Sequence, residues 1–109
     1  MDFNEYQRLA FGTVLEPDRM KVVYASLGLA GETGEVVDKV KKIIRDHNSD
    51  FTTQEHRMAL ARELGDVLWY LSLMAHDLGL TLDEVAQINI DKIYSRKHRD
   101  KIHGSGDER

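Results

Sequence analysis

The chain contains no cysteine. Disulfides, thiolate metal sites and a cysteine nucleophile are therefore excluded, and the composition suits a reducing cytoplasm. There is one proline in 109 residues, and β-branched residues seldom alternate with polar ones. An all-α fold is the expectation from that pattern. No run reaches the roughly 18–20 apolar residues of a membrane span. The opening Met1-Asp2-Phe3-Asn4-Glu5 has neither the basic start nor the apolar core of a signal peptide. No broad basic face is evident, although Lys92 to Lys101 is locally basic, so a nucleic-acid polymer is not an expected partner. No internal repeat is visible beyond a weak echo between two acidic clusters.

Hydrophobic residues make up 41% and charged residues 31%, which describes a soluble globular chain of one domain. A core of this size is modest, and oligomerisation is a common way to complete it. The net charge of −4 equals the charge of four clustered carboxylates, so the acidity is local. Glu32 and Glu35 stand in Gly31-Glu32-Thr33-Gly34-Glu35; Glu63 and Asp66 stand in Glu63-Leu64-Gly65-Asp66. A spacing of three puts each pair on one helix face, with Cβ atoms roughly 5–6 Å apart, and each like-charged pair costs a helix roughly 0.2–0.5 kcal/mol. Both pairs border apolar stripes and ask for a counter-charge. Oxygen-only ligation suits Mg²⁺ or Mn²⁺ better than Zn²⁺.

Asp2 and Glu5 resemble a capping box, so a first helix is expected from about Phe3 to Leu15, broken by Glu16-Pro17-Asp18. Its apolar stripe is Phe3, Tyr6, Leu9, Ala10 and Val14. A second helix is expected from about Arg19 to Arg45, with Val22, Ala25, Leu29, Val36, Val40 and Ile43 on one stripe. Gly31 and Gly34 lie inside it at a cost of about 0.8–1 kcal/mol each against alanine, which calls for a close approach, a kink or room for a ligand. Lys39 follows Glu35 by four and reads either as its salt-bridge partner or as a phosphate contact. Thr52 or Thr53 caps a third helix running to Leu78, with Gly79 as its C′ residue. Val67 to Ala75 is apolar almost all round and is expected near an oligomer interface. Thr81-Leu82-Asp83-Glu84 opens a fourth helix, with Leu82, Val85, Ala86, Ile90 and Ile93 toward the core. Asn89 falls among these, either to satisfy a backbone group or to point into a site; Lys92 and Arg96 follow on the same side. Residues 1–97 then form the helical domain and 98–109 a polar tail. The pair His76-Asp77, taken with His56 and Asp91, faintly suggests a metal-binding HD-type hydrolase, but the chain is short for that fold. A di-iron bundle would need Glu-x-x-His, which neither cluster supplies.

Glu32-x-x-Glu35 followed by Glu63-x-x-Asp66, with the flanks Leu27-Gly28-Leu29-Ala30-Gly31 and Val67-Leu68-Trp69-Tyr70-Leu71, resembles the MazG-like all-α nucleoside triphosphate pyrophosphohydrolases. Asn89-x-x-Lys92 resembles the Asn-x-x-Lys of the following helix in that family. The resemblance runs from about Tyr6 to Arg96. It implies a four-helix antiparallel bundle completed by oligomerisation as a homodimer or homotetramer. It also implies Mg²⁺-dependent cleavage of a (d)NTP to the monophosphate and pyrophosphate; the cysteine-free composition makes the cytoplasm the expected location. Glu32, Glu35, Glu63 and Asp66 are the expected metal and catalytic residues, with Glu32 a candidate base. Lys39, Asn89, Lys92, Arg96 and Arg109 are the expected substrate contacts, and Trp69 and Tyr70 weaker candidates for the base pocket. The tail, through Arg109, is expected to close on the triphosphate, with Asp107 turned to a cation or a backbone amide. The alternative of a different class is a non-catalytic helical oligomer acting as a partner-binding or regulatory module.

Overall fold

The computed structural model describes every residue except Pro17, Lys101 and Arg109. Among the described residues four helices run in order: α1 (Phe3–Phe11), α2 (Val23–Asp46), α3 (Gln54–Asp77) and α4 (Leu82–His98). Strands are absent among the described residues, and the fold is all-α as expected.

Local chemistry sets most helix ends. The Asp2 carboxylate accepts from the Glu5 N–H at 2.8 Å and opens α1. Thr53, rather than Thr52, caps α3 by accepting from the His56 N–H. Thr81 and Glu84 form the expected capping box on α4. Gly79, at φ 75°, closes α3: its N–H donates to His76 O, and the Leu80 N–H donates to Ala75 O, the paired bonds of a Schellman motif.

Two ends differ from expectation. α1 stops at Phe11, not Leu15, because the Thr13 N–H and hydroxyl both bond Ala10 O (3.0 and 2.7 Å) while the Val14 N–H turns to Phe11 O. These shorter-range bonds tighten the chain out of the α-helix before the expected break, of which Pro17 lies outside the described residues. α2 begins at Val23, not Arg19. The cause is long-range: Asp77, at the end of α3, takes the Val22 N–H (3.0 Å) and the Arg19 guanidinium (2.6 Å). Val22 sits at φ 68°, a conformation a β-branched residue rarely adopts. Both ion-pair side chains are buried, at 5% and 0% exposure. Phe11 stacks on His76, and the Arg19 guanidinium lies 5.7 Å from the centre of the Phe11 ring. Asp77 is thus committed to α2, and His56 lies about 30 Å away along α3 at 1.5 Å per residue, which removes the HD-type arrangement.

α2 and α3 pack against each other as an antiparallel pair joined by the loop 47–53. α1 packs on α3, and α4 meets α1 and the end of α3. The core is Ala10, Ala25, Ile43, Leu73, Ala75 and Leu82. Gln7 is buried among them, and its amide ties three elements. Nε2 donates to Ser72 O (3.2 Å) and Leu80 O (3.0 Å), and Oε1 accepts from the Leu82 N–H (3.0 Å). The buried face of α1 is therefore Gln7 and Ala10, whereas Phe3 and Leu9, expected inside, are exposed. Ile90 and Ile93, also expected inside, are exposed too, because α4 packs only sparsely on α3. The radius of gyration is 16.7 Å, against about 13 Å for a compact chain of this length. One chain by itself leaves an open, apolar flank.

Candidate metal centre

Glu32 projects from α2 toward Glu63 and Asp66 on α3, and one carboxylate oxygen from each lies within 4.8 Å of the others. The antiparallel packing of α2 on α3 makes this possible, because the two acidic turns come level where the helices are in contact. Glu32 and Glu63 are half-buried and Asp66 is exposed at the rim. Glu35, one turn beyond Glu32, is exposed and lies outside this group of three. Its charge still reaches Glu32. The Glu32 carboxyl is pushed above its ordinary range, first by burial and then by the charges of Asp66, Glu63 and Glu35. Lys39 does not pair with Glu35, four residues before it on its own helix. Its ammonium lies 3.5 Å from Glu63 across the interface.

Tyrosines border the acidic group. Tyr70 is half-buried, and its hydroxyl is made less acidic first by burial, then by the neighbouring Tyr24 hydroxyl and by the charges of Glu32 and Asp66. The Tyr24 and Tyr70 rings stand 6.2 Å apart. Burial, followed by the charge of Asp66, has the same effect on Tyr6. The Tyr70 ring lies directly on the bare Cα of Gly28, where a methyl group would overlap it. Gly28, rather than Gly31 or Gly34, is thus the glycine of close approach; added methyls at Gly31, Gly34 and Gly65 meet nothing within 4 Å. Sequence reasoning missed Tyr24 and the role of Gly28. The signal was present: Tyr24, Gly28 and Glu32 are spaced by four and share a helix face.

The remaining candidates gather elsewhere. Asn89 is exposed and lines an apolar pocket of about 300 Å³ with Phe3, Leu68, Leu71, Leu82, Val85 and Ala86. A neighbouring hollow of about 470 Å³ shares Phe3 and Leu68 and is bounded by Tyr6. Leu68 lies about 160° round α3 from Asp66 at 100° per residue, so the pocket and the carboxylates occupy different sides of that helix. Lys92 and Arg96 are held by Asp107 of the tail: Lys92 Nζ stands 3.2 Å and Arg96 Nη2 3.4 Å from its Oδ1. Asp107 thus faces cations, as expected, while Arg109 lies outside the described residues. No hydrogen bond or ion pair joins these cations to the carboxylates of α2 and α3 among the described residues. Trp69 packs edge-on against Tyr70, and its Nε1–H donates to the Thr13 hydroxyl at 2.9 Å.

Three carboxylates against one lysine give an all-oxygen donor set with unmatched negative charge, which fits a hard divalent cation. Residues 24–100 match the MazG nucleotide pyrophosphohydrolase domain. The chain is 50% identical over 86 residues to the Gene 37 protein of Mycobacterium phage L5, covering 79% of this chain and 75% of that protein. No solved structure matches it. The clustered acids, the all-α frame and the match across most of the chain agree: the protein belongs to the MazG nucleotide pyrophosphohydrolase family.

Proposed function

We propose that the protein is a Mg²⁺-dependent pyrophosphohydrolase that cleaves a (d)NTP to the (d)NMP and pyrophosphate, with Mn²⁺ as a substitute metal. The observation that carries this reading is the convergence of Glu32, Glu63 and Asp66 within 4.8 Å from two helices. Together with Glu35 they would hold the metal, directly or through water. A bound divalent cation neutralises polyphosphate charge and polarises the phosphorus under attack.

The chain's own residues supply the rest. Glu32, half-buried at the α2–α3 contact, orients the attacking water and receives its proton. The oxygen of that water bonds to phosphorus, the bond across the α–β bridge breaks, and pyrophosphate leaves with the electron pair. Lys39, whose ammonium lies beside Glu63, would contact phosphate oxygens. Lys92, Arg96 and Arg109 supply further positive charge, and Asn89 a polar contact at the mouth of its apolar pocket. Tyr24 on α2 and Tyr70 on α3 border the acids and offer flat surfaces to sugar or base.

The α4 cations and the carboxylates gather on different parts of one chain, and α4 carries exposed Ile88, Ile90, Ile93 and Tyr94. A homodimer or homotetramer that covers this flank would bring α4 of one copy toward the acids of another. A cytoplasmic enzyme fits the nucleotide substrate, and no helix among the described residues is long and apolar enough to cross a membrane. The deciding experiment is a panel of ribo- and deoxynucleoside triphosphates assayed for pyrophosphate release with and without Mg²⁺. Metal-dependent release is expected. No release from any nucleotide, with no Mn²⁺ binding by calorimetry, would return the chain to the non-catalytic reading.

A further inference from the structure

The described part of the tail doubles back onto the helix it follows. Gly104 and Gly106, at φ 142° and 85°, allow the reversal. It lays residues 106 and 107 over the last two turns of α4. There Arg96 Nη2 donates to the Asp107 carbonyl (2.8 Å), the Gly106 carbonyl (3.3 Å) and the Asp107 carboxylate (3.4 Å). Lys92 Nζ donates to the same carboxylate oxygen at 3.2 Å. Arg96 is left only 7% exposed. Its Nε–H is buried with no hydrogen-bond partner among the described residues, so the tail satisfies the guanidinium only in part.

We propose that Asp107 acts as an internal substitute for phosphate: the tail latches the Lys92–Arg96 cation pair, and a polyphosphate must displace it to bind there. This rests on the reading that these two cations take substrate phosphates. A carboxylate and two carbonyls offer donors of this kind the same acceptor atoms that phosphate offers, so occupation is mutually exclusive. The latch is built to yield. The Asp107 side chain is 83% exposed, and an ion pair in that setting is weak and screened by salt. A polyphosphate brings more charge and more oxygens. Lys92, at 36% side-chain exposure, remains open to an incoming anion. The carboxyl is held below its usual range first by Lys92 and then by Arg96, so it stays charged at neutral pH. The latch raises the concentration of nucleotide needed to fill the site without altering the acidic group.

The test uses the full chain as wild type, Asp107→Asn and Asp107→Glu, titrated calorimetrically with inorganic tripolyphosphate without divalent metal. Asp107→Asn should bind roughly two- to fivefold more tightly than wild type, with the gain shrinking in high salt, and Asp107→Glu should bind like wild type. Amide exchange of residues 102–108 in the wild type should speed up when tripolyphosphate is added. Equal or weaker binding by Asp107→Asn, no binding by any of the three, or slowed tail exchange would overturn the latch; weaker binding would make the tail part of the phosphate site. Catalysis is read separately, as pyrophosphate release from nucleotides with Mg²⁺. An inactive chain that still shows the Asp107→Asn gain keeps the latch and loses the enzyme, and an active chain without the gain does the reverse.

Discussion

The ammonium of Lys39 on α2 lies 3.5 Å from the Glu63 carboxylate on α3. The protein therefore contributes one cation of its own to a group of three carboxylates, and that cation opposes a bound metal. Lys39→Met should raise Mn²⁺ affinity by roughly two- to fivefold, a modest gain because the lysine side chain is 40% exposed. The same variant should turn over nucleotide more slowly through loss of a phosphate contact. Calorimetry and a pyrophosphate assay on one preparation separate the two effects.

Loss of a carboxylate should be graded by geometry. Glu63→Ala removes a member of the close group and should lower metal-dependent turnover about 100-fold or more, with helicity unchanged. Glu35→Ala removes an exposed carboxylate outside that group and should cost less metal affinity. Circular dichroism with Mn²⁺ titration checks both, and equal metal affinity in wild type and Glu63→Ala would dismiss the metal centre.

Two glycines of α2 should respond in opposite directions. Gly28→Ala drives a methyl into the Tyr70 ring and should destabilise by about 1–3 kcal/mol. Gly31→Ala meets open space in the chain and removes a helix-weakening residue, for a gain of about 0.5–1 kcal/mol. Thermal melts of the two variants read the difference, and a destabilised Gly31→Ala would reveal a neighbouring copy packed on that face.

Asp77 makes stability acid-sensitive. Burial alone would raise its pKa, but the Val22 N–H and the Arg19 guanidinium outweigh burial and hold the carboxyl below its ordinary value. A depressed folded-state pKa contributes stability that is present above the unfolded value, about 3.9, and is lost as pH falls through the folded value. Removing one partner of a buried ion pair costs about 3–5 kcal/mol, so Asp77→Asn should destabilise the protein by up to about that amount at pH 7, and its deficit against wild type should narrow in strong acid. Denaturant melts across pH 2–7 would expose an error here as a deficit that does not change with pH.

What was legible in the sequence was local. Asp2, Thr53 and Thr81 cap helices by reaching three residues along the chain, and carboxylates spaced by three declare a shared face before any tertiary contact exists. The acidic group was readable for that reason. The start of α2 was not, because Asp77 sets it from 55 residues away. Gln7 hid in the same way: a polar residue on an apolar stripe looks outward until Ser72, Leu80 and Leu82 present backbone groups to it. Ile90 and Ile93 have the periodicity of a core stripe, but a helix that packs only sparsely on its neighbours has little core to offer them. The partner of Lys39 was misread because intrahelical spacing is visible in a sequence and the cross-helix distance to Glu63 is not.

The Arg19–Asp77 pair and the Val22–Asp77 bond fasten the end of the α2–α3 hairpin that lies farthest from its loop. The pair of helices is therefore closed at both extremities, like a ladder with a rung at each end and the three carboxylates on the rails between. A hairpin held only by its loop would splay whenever that loop lengthened. Here the spacing of the rails is set from the opposite end as well, so residues 47–53 are relieved of that duty. Extra residues there would cost little more than the slow logarithmic entropy of a longer loop. The hairpin turn is thus where sequence can drift in length while the distance between Glu32 and Glu63 stays fixed.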